Sequence, residues 1–254
     1  MIDDRRIDAN DKPVNPDGSH IVYWMTSARR ARWNYALDHA IELANEHNVP
    51  LIVVECLALG HRWANDRIHT FVLQGMIDNR KLFESSPVTY VPYVETKKAQ
   101  AGGLMKSFSK DAVAVVIDDF PTYMPRDVAQ RAKNLADCSV QCIDSNGIIP
   151  LRAPERSFST AHSFRRYIHQ NVLNFVSTPP SANPLNNLTD TGDGSHTLLS
   201  VSKMQMFRKH LLSSFGEFPK PRLKAGKHLQ SSISIMKFHR SMTVEEVPSR
   251  RAQN

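Results

Sequence analysis

Apolar residues are grouped in two alternating ways along the first 176 positions. The runs HIVYWMT (20–26), LIVVECL (51–57), VTYVPYV (88–94), AVAVVID (112–118) and SVQCID (139–144) are rich in β-branched and aromatic residues. Short runs of that kind read as strands, buried on both faces where they are nearly continuously apolar. Between them the spacing changes to three and four. Trp33, Ala36, Leu37, Ala40, Ile41 and Ala44 share one stripe, and Ile68, Phe71, Val72, Met76 and Phe83 share another. That is the period of a helix with one buried face. Thr26 and Ser27 offer cap oxygens for the first helix, and Asn48 and Pro50 end it. Further helices are expected over 97–109, weakened by Gly102 and Gly103, from near Pro125 to about Asp137, and from Thr160 to Phe175. Pro92 places 88–94 at a sheet edge. The most apolar run, 112–118, belongs at the centre.

Alternation of strand and helix predicts an α/β fold: a Rossmann-like, doubly wound, five-stranded parallel sheet, followed by a linker and a partly helical basic tail. The polar residues 1–19, with Pro13 and Pro16, read as a disordered leader. Residues 20–176 form the α/β domain. Residues 177–196, rich in Pro, Asn, Ser, Gly and Asp, read as the linker, and 197–254 as the tail.

Charge changes this picture in one place. Residues 1–199 hold 21 Lys+Arg against 22 Asp+Glu, whereas residues 200–254 hold 11 against 3, so the net +7 belongs to the tail. Tail cations at Lys203, Arg208, Lys209, Lys220, Arg222, Lys224 and Lys227 are the expected contacts to DNA, weak and independent of sequence. There is neither a run of 18 apolar residues nor the apolar segment of a secretory signal, so no membrane association and a cytoplasmic location are expected. The three cysteines, Cys56, Cys138 and Cys142, suit a reducing compartment, and the last two read as buried packing groups rather than metal ligands.

Ligands of open parallel sheets sit beyond the carboxyl ends of the strands. Here those ends are Met25–Thr26 and Asp118–Asp119–Phe120, and Arg29, Arg30 and Arg32 open the first helix. The pattern GxGxxG does not follow the first strand, nor does GxxxxGK[ST] occur, so neither glycine-rich phosphate motif applies. Adjacent carboxylates at 118 and 119 point in different directions from a strand end and read as cap or loop groups.

Four segments, in order, resemble class II DNA photolyases of the photolyase and cryptochrome family. They are VYWMTSARRARWNYALDHAIELANEHNVPLIVV (22–54), RIHTFVLQGM (67–76), VVIDDFPTYMPR (115–126) and QCIDSNGIIPLRAPERSFSTAHSFRR (141–166), with a weaker echo at KAGKHLQSSI (224–233). The resemblance covers about residues 20–176 and implies the N-terminal α/β domain of that family. It implies light-dependent repair of cyclobutane pyrimidine dimers, performed with FAD by a helical domain that the resembling segments do not include. No catalytic residue is therefore carried over. The chain reads as a truncated member, or as a part whose partner is a separate helical flavin-domain chain, and as inactive alone. The resemblance also implies an antenna chromophore, a deazaflavin or similar, held by Met25, Thr26, Arg32, Asn34, Asp118 and Phe120. The alternative reading is a stand-alone nucleotide- or antenna-chromophore-binding module without lyase activity.

Overall fold

The computed structural model describes residues 2–95, 101 and 103–191. Six strands form one sheet: β1 (Ile7–Ala9), β2 (His20–Met25), β3 (Leu51–Leu57), β4 (Thr89–Val94), β5 (Ala112–Asp119) and β6 (Ser139–Asp144). Their order is β1-β6-β5-β2-β3-β4. The chain moves outward from β2 through β3 to β4, then crosses back to β5 and β6 on the other side. β2 and β5 therefore flank the switch point, pairing in parallel from Ile21↔Ala114 to Trp24↔Ile117. β5 is central and buried through Asp118, and β4 is an edge strand, as the run of apolar residues and Pro92 predict.

The helices are α1 (Tyr35–His47), α2 (Asp66–Phe83), α3 (Leu104–Ser109), α4 (Tyr123–Leu135), α5 (Ala161–Asn171) and α6 (Leu173–Val176). α1 and the end of α2 cover one face, where Leu37, Ile41 and Phe83 pack on Ile21, Tyr23, Val53 and Val116. α3 and α4 cover the other, with Phe108, Ala129 and Ala132 against Val22, Trp24, Val115 and Val140. The stretch 97–109 is helical only over Leu104–Ser109 among its described residues; residues 97–100 and Gly102 lie outside them.

Three differences from the sequence expectation have physical causes. First, the sheet has a sixth strand: β1 pairs antiparallel with β6, Ile7 opposite Ile143 and Ala9 opposite Gln141. The segment read as a disordered leader is ordered over its described residues. Asn10 N–H donates to Val140 O, Ser139 N–H to Pro13 O, and Asn15 N–H to Val113 O. Without it, β6 would expose its ladder groups as an edge. Second, the stretch read as linker lies along α1 over its described part. Ser181 N–H donates to Asp38 at 2.7 Å and Asn45 to Asn187 O at 2.8 Å, while Leu185 and Leu188 pack on the core. Third, α1 starts at Tyr35 rather than after Ser27. Asn34 is its cap, accepting from Ala36 and Leu37 N–H, and the intervening residues form a loop with another task.

Candidate functional site

The carboxyl end of the sheet is built around two buried carboxylates near the ends of apolar strands. Asp118, next to last in β5, has no exposed surface. Its Oδ2 accepts from three consecutive amides, Thr26, Ser27 and Ala28, at 2.7, 2.8 and 2.9 Å. Successive amides converging on one point are the geometry of an anion nest; here the anion is the protein's own. Oδ1 accepts from the Tyr23 hydroxyl at 2.8 Å, and that hydroxyl accepts from Asn34 Nδ2 at 3.0 Å. Burial, and then the Asp118 charge, push the Tyr23 phenol well above its ordinary range, so it stays a donor. Asn34 is also fully buried, and Nδ2 donates further to Ala28 O and Arg30 O.

Glu55, in β3, is the second carboxylate, 1% exposed. It pairs with Arg29 at 3.0 Å and accepts from Asn79 of α2 at 3.1 Å and from the Tyr90 hydroxyl at 2.5 Å. Burial first, then the Glu55 charge, raises the Tyr90 pKa. Arg29 also donates to Thr26 O and Cys56 O. The loop 26–33 is thus tied to β5 through Asp118 and to β3 through Arg29.

The six residues expected to hold a chromophore divide into two groups. Met25, Asn34 and Asp118 are buried, and the polar atoms of the last two are engaged inside the fold. Arg32 is exposed, Phe120 half-buried, and Thr26 half-buried with a buried Oγ1 that lacks a hydrogen-bond partner among the described residues. Half of the set therefore serves to hold the loop in place. Asp119 bonds Arg152 at 2.6 Å, and Arg152 also meets Asp8 of β1 at 3.1 Å. The adjacent carboxylates therefore have separate structural tasks.

Above this floor the edge is aromatic. α2 meets β3 and the loop 26–33 at Asn79, which donates to Glu55 and to Arg29 O. Nearer its start Ile68 and Phe71 are 38% and 77% exposed, while Met76 and Phe83 are buried. The stripe read from the sequence is real, but only its lower half meets the core. Trp63, in the preceding loop, lies edge-on to Tyr123 at the start of α4, ring centroids 5.2 Å apart. The tail cations Lys203, Arg208, Lys209, Lys220, Arg222, Lys224 and Lys227 lie outside the described residues.

Cys138 and Cys142 are buried on the face covered by α3 and α4. Burial pushes the Cys142 thiol up to about 12 and the Cys138 thiol upward as well, which suits packing rather than nucleophilic roles. No helix among the described residues is long and apolar enough to cross a membrane.

No family model matches the chain. Its solved structural neighbours include a universal stress protein from Archaeoglobus fulgidus (TM-score 0.33, 23% identity, 49% of this chain and 98% of that one). The same protein in complex with dAMP gives TM-score 0.35 at 21% identity, covering 50% and 98%. A universal stress family protein from Burkholderia pseudomallei gives TM-score 0.33 at 22% identity, covering 54% and 99%. Among curated proteins, the deoxyribodipyrimidine photo-lyase of Methanothermobacter thermautotrophicus is 28% identical over 160 residues, 63% of this chain and 35% of its own length. That of Arabidopsis thaliana is 23% identical over 177 residues, 68% and 35%. The chain thus spans about a third of the length of the curated relatives it matches. Matched over 63% and 68% of its length by these two, the chain is related to the deoxyribodipyrimidine photo-lyases.

Proposed function

We propose that this chain supplies the α/β domain of a photo-lyase-type DNA repair protein. In this reading the light-driven splitting of cyclobutane pyrimidine dimers is carried by a flavin-binding helical domain outside the described residues. The observation that carries the reading is the match to a deoxyribodipyrimidine photo-lyase over 160 residues. The described residues offer architecture: two buried carboxylates spent on loop geometry and an apolar rim around Ile68, Phe71, Trp63 and Tyr123 suited to cover by a second domain. No step of the repair reaction is assigned to Asp118, Glu55 or Asp119, whose acceptor oxygens are taken up inside the fold. An antenna chromophore at the strand ends would meet Arg32, Phe120 and the Thr26 hydroxyl, with Asn34 and Asp118 acting only as supports. The test is direct. The purified 254-residue chain is expected to show no light-dependent loss of dimers above a dark control, and to regain it when a flavin-loaded helical domain from a photo-lyase is supplied. Repair by the chain alone would move the chemistry into it; no repair after complementation would remove the photo-lyase reading.

A further inference from the structure

The outward face of α5 carries a row of basic side chains with no acidic counterpart. His162, Arg165, Arg166 and His169 stand at i, i+3, i+4 and i+7, which is one face of a helix, and all four are exposed. The opposite face holds Phe164, Tyr167 and Ile168. It leans on Phe158, whose ring is 5.3 Å from those of both Phe164 and Tyr167. The aromatic side, half-buried at Tyr167 and Ile168, rests on Phe158, and the basic row is left to solvent.

An ordinary solvated helix face mixes charges of both signs, usually four residues apart. Elsewhere the protein does this: Arg80 pairs with Glu84 at i+4, Lys81 with Asp78 at i−3, and Arg5 with Asp3. Around α5 it does not. There is no Asp or Glu between Glu155 and Asp190. Arg165 and Arg166 have neither a hydrogen-bond nor an ion-pair partner among the described residues. Two unneutralised guanidinium groups flanked by histidines on one helix face are complementary to a polyanion, and the planar guanidinium forks match phosphate oxygens in pairs.

We propose that the outward face of α5 binds the phosphate backbone of nucleic acid, so that the α/β body itself, and not only the basic tail, contacts the polymer. The row is about 10 Å long at 1.5 Å per residue, enough to meet neighbouring phosphates of one strand. Contacts of this type position the polymer and carry no sequence preference. That the nucleic acid is DNA rests on the photo-lyase reading; recognition of its phosphates does not.

The experiment is a salt titration of fluorescently labelled, undamaged duplex DNA with the full chain, followed by anisotropy. Arg165→Gln with Arg166→Gln is expected to weaken binding about tenfold near 50 mM salt and to flatten the plot of log affinity against log salt by roughly 2, since each neutralised phosphate contributes ~0.9. Arg165→Lys with Arg166→Lys, which keeps the charge, is expected to retain most of the slope. Substituting Lys203, Arg208 and Lys209 by Gln gives the tail's own share. A drop in the α5 variant that adds to the tail's drop supports the proposal. An unchanged affinity and slope in the α5 variant, with all loss in the tail variant, overturns it. Binding of the wild type to phosphatidylserine vesicles but not to duplex would also overturn it. Failure of light-driven repair after a flavin-loaded helical domain is supplied, with duplex binding intact, would remove the photo-lyase reading and leave the α5 surface standing.

Discussion

Asn34 shows how much of this protein is decided by single polar side chains. Its Oδ1 caps α1, and its Nδ2 serves the Tyr23 hydroxyl and two loop carbonyls. An aspartate would cap as well by local rules, yet it would turn a carboxylate oxygen toward Ala28 O and Arg30 O. Asn34→Asp is therefore expected to destabilise at least as much as Asn34→Ala, by about 2–3 kcal/mol, combining a lost buried donor with charge burial. Thermal melts of both variants decide this: an Asp variant as stable as wild type would mean that Nδ2 has no structural share. The sequence made part of this network legible. Asp118 closing AVAVVID and Glu55 inside LIVVECL are carboxylates in apolar runs, and such groups must find partners. The partners themselves were hidden, since Thr26–Ala28 lie about 90 positions from Asp118. For the same reason the start of α1 was misjudged. Thr26 and Ser27 satisfy a local cap rule, but Asp118 draws their amides into a nest, and the helix begins only after Asn34.

Among the elements, the long ones were readable and the short ones were not. β2 and β5 follow nearly unbroken apolar runs, β3 and β6 runs interrupted by Glu55 and Gln141, and the centre of the sheet follows from β5 being the most apolar. β1 has three residues, Ile7, Asp8 and Ala9, too few to display a period. Its place is set by tertiary contacts: Asp8 to Lys133 and Arg152, and the buried Arg6 to Asp144 O with its guanidinium 3.9 Å from the Tyr35 ring centroid. The turn that leads on to β2 is equally constrained. Gly18 N–H donates to Asn15 O, and a Cβ at Gly18 would lie 2.3 Å from Val113 N and 2.6 Å from its Cα. Backbone at the start of the central strand has no room to yield. Gly18→Ala is expected to destabilise by about 1–3 kcal/mol, as overpacking does. It should speed hydrogen exchange at Val113 and Asn15, while Gly60→Ala, where a Cβ meets nothing within 4 Å, serves as the control. Equal stability of the two variants would show that the N-terminal segment is not pressed against β5.

At the scale of the whole molecule, the feature that composition hid is a division within one helix. α2 reads as a single amphipathic stripe, but its buried residues, Met76, Asn79 and Phe83, are confined to the part alongside the sheet. Toward its N-terminus Ile68 and Phe71 are exposed, as are Trp63 and Tyr123, which pair with each other. Periodicity records which residues share a face; it cannot record where the surface beneath that face stops. The outer turns are held by the Asn65 cap, whose side chain accepts from Ile68 N–H at 3.0 Å, and by continuity with the anchored half. Exposed apolar side chains add little to the stability of the body, but they favour association with any complementary apolar surface. Ile68→Ser with Phe71→Ser should therefore leave the melting temperature within about 2 °C of wild type, the range of surface changes of ~0.5 kcal/mol in a domain of this size. The same variant should lower self-association in sedimentation velocity and weaken docking of a supplied helical domain. Phe83→Ser, which empties a fully buried position stacked on Tyr90, should instead cost about 3 kcal/mol or more. If the double serine variant melts as low as Phe83→Ser, the outer turns belong to the core of the body; if it melts as wild type yet associates and docks unchanged, the rim has no part in joining the domains.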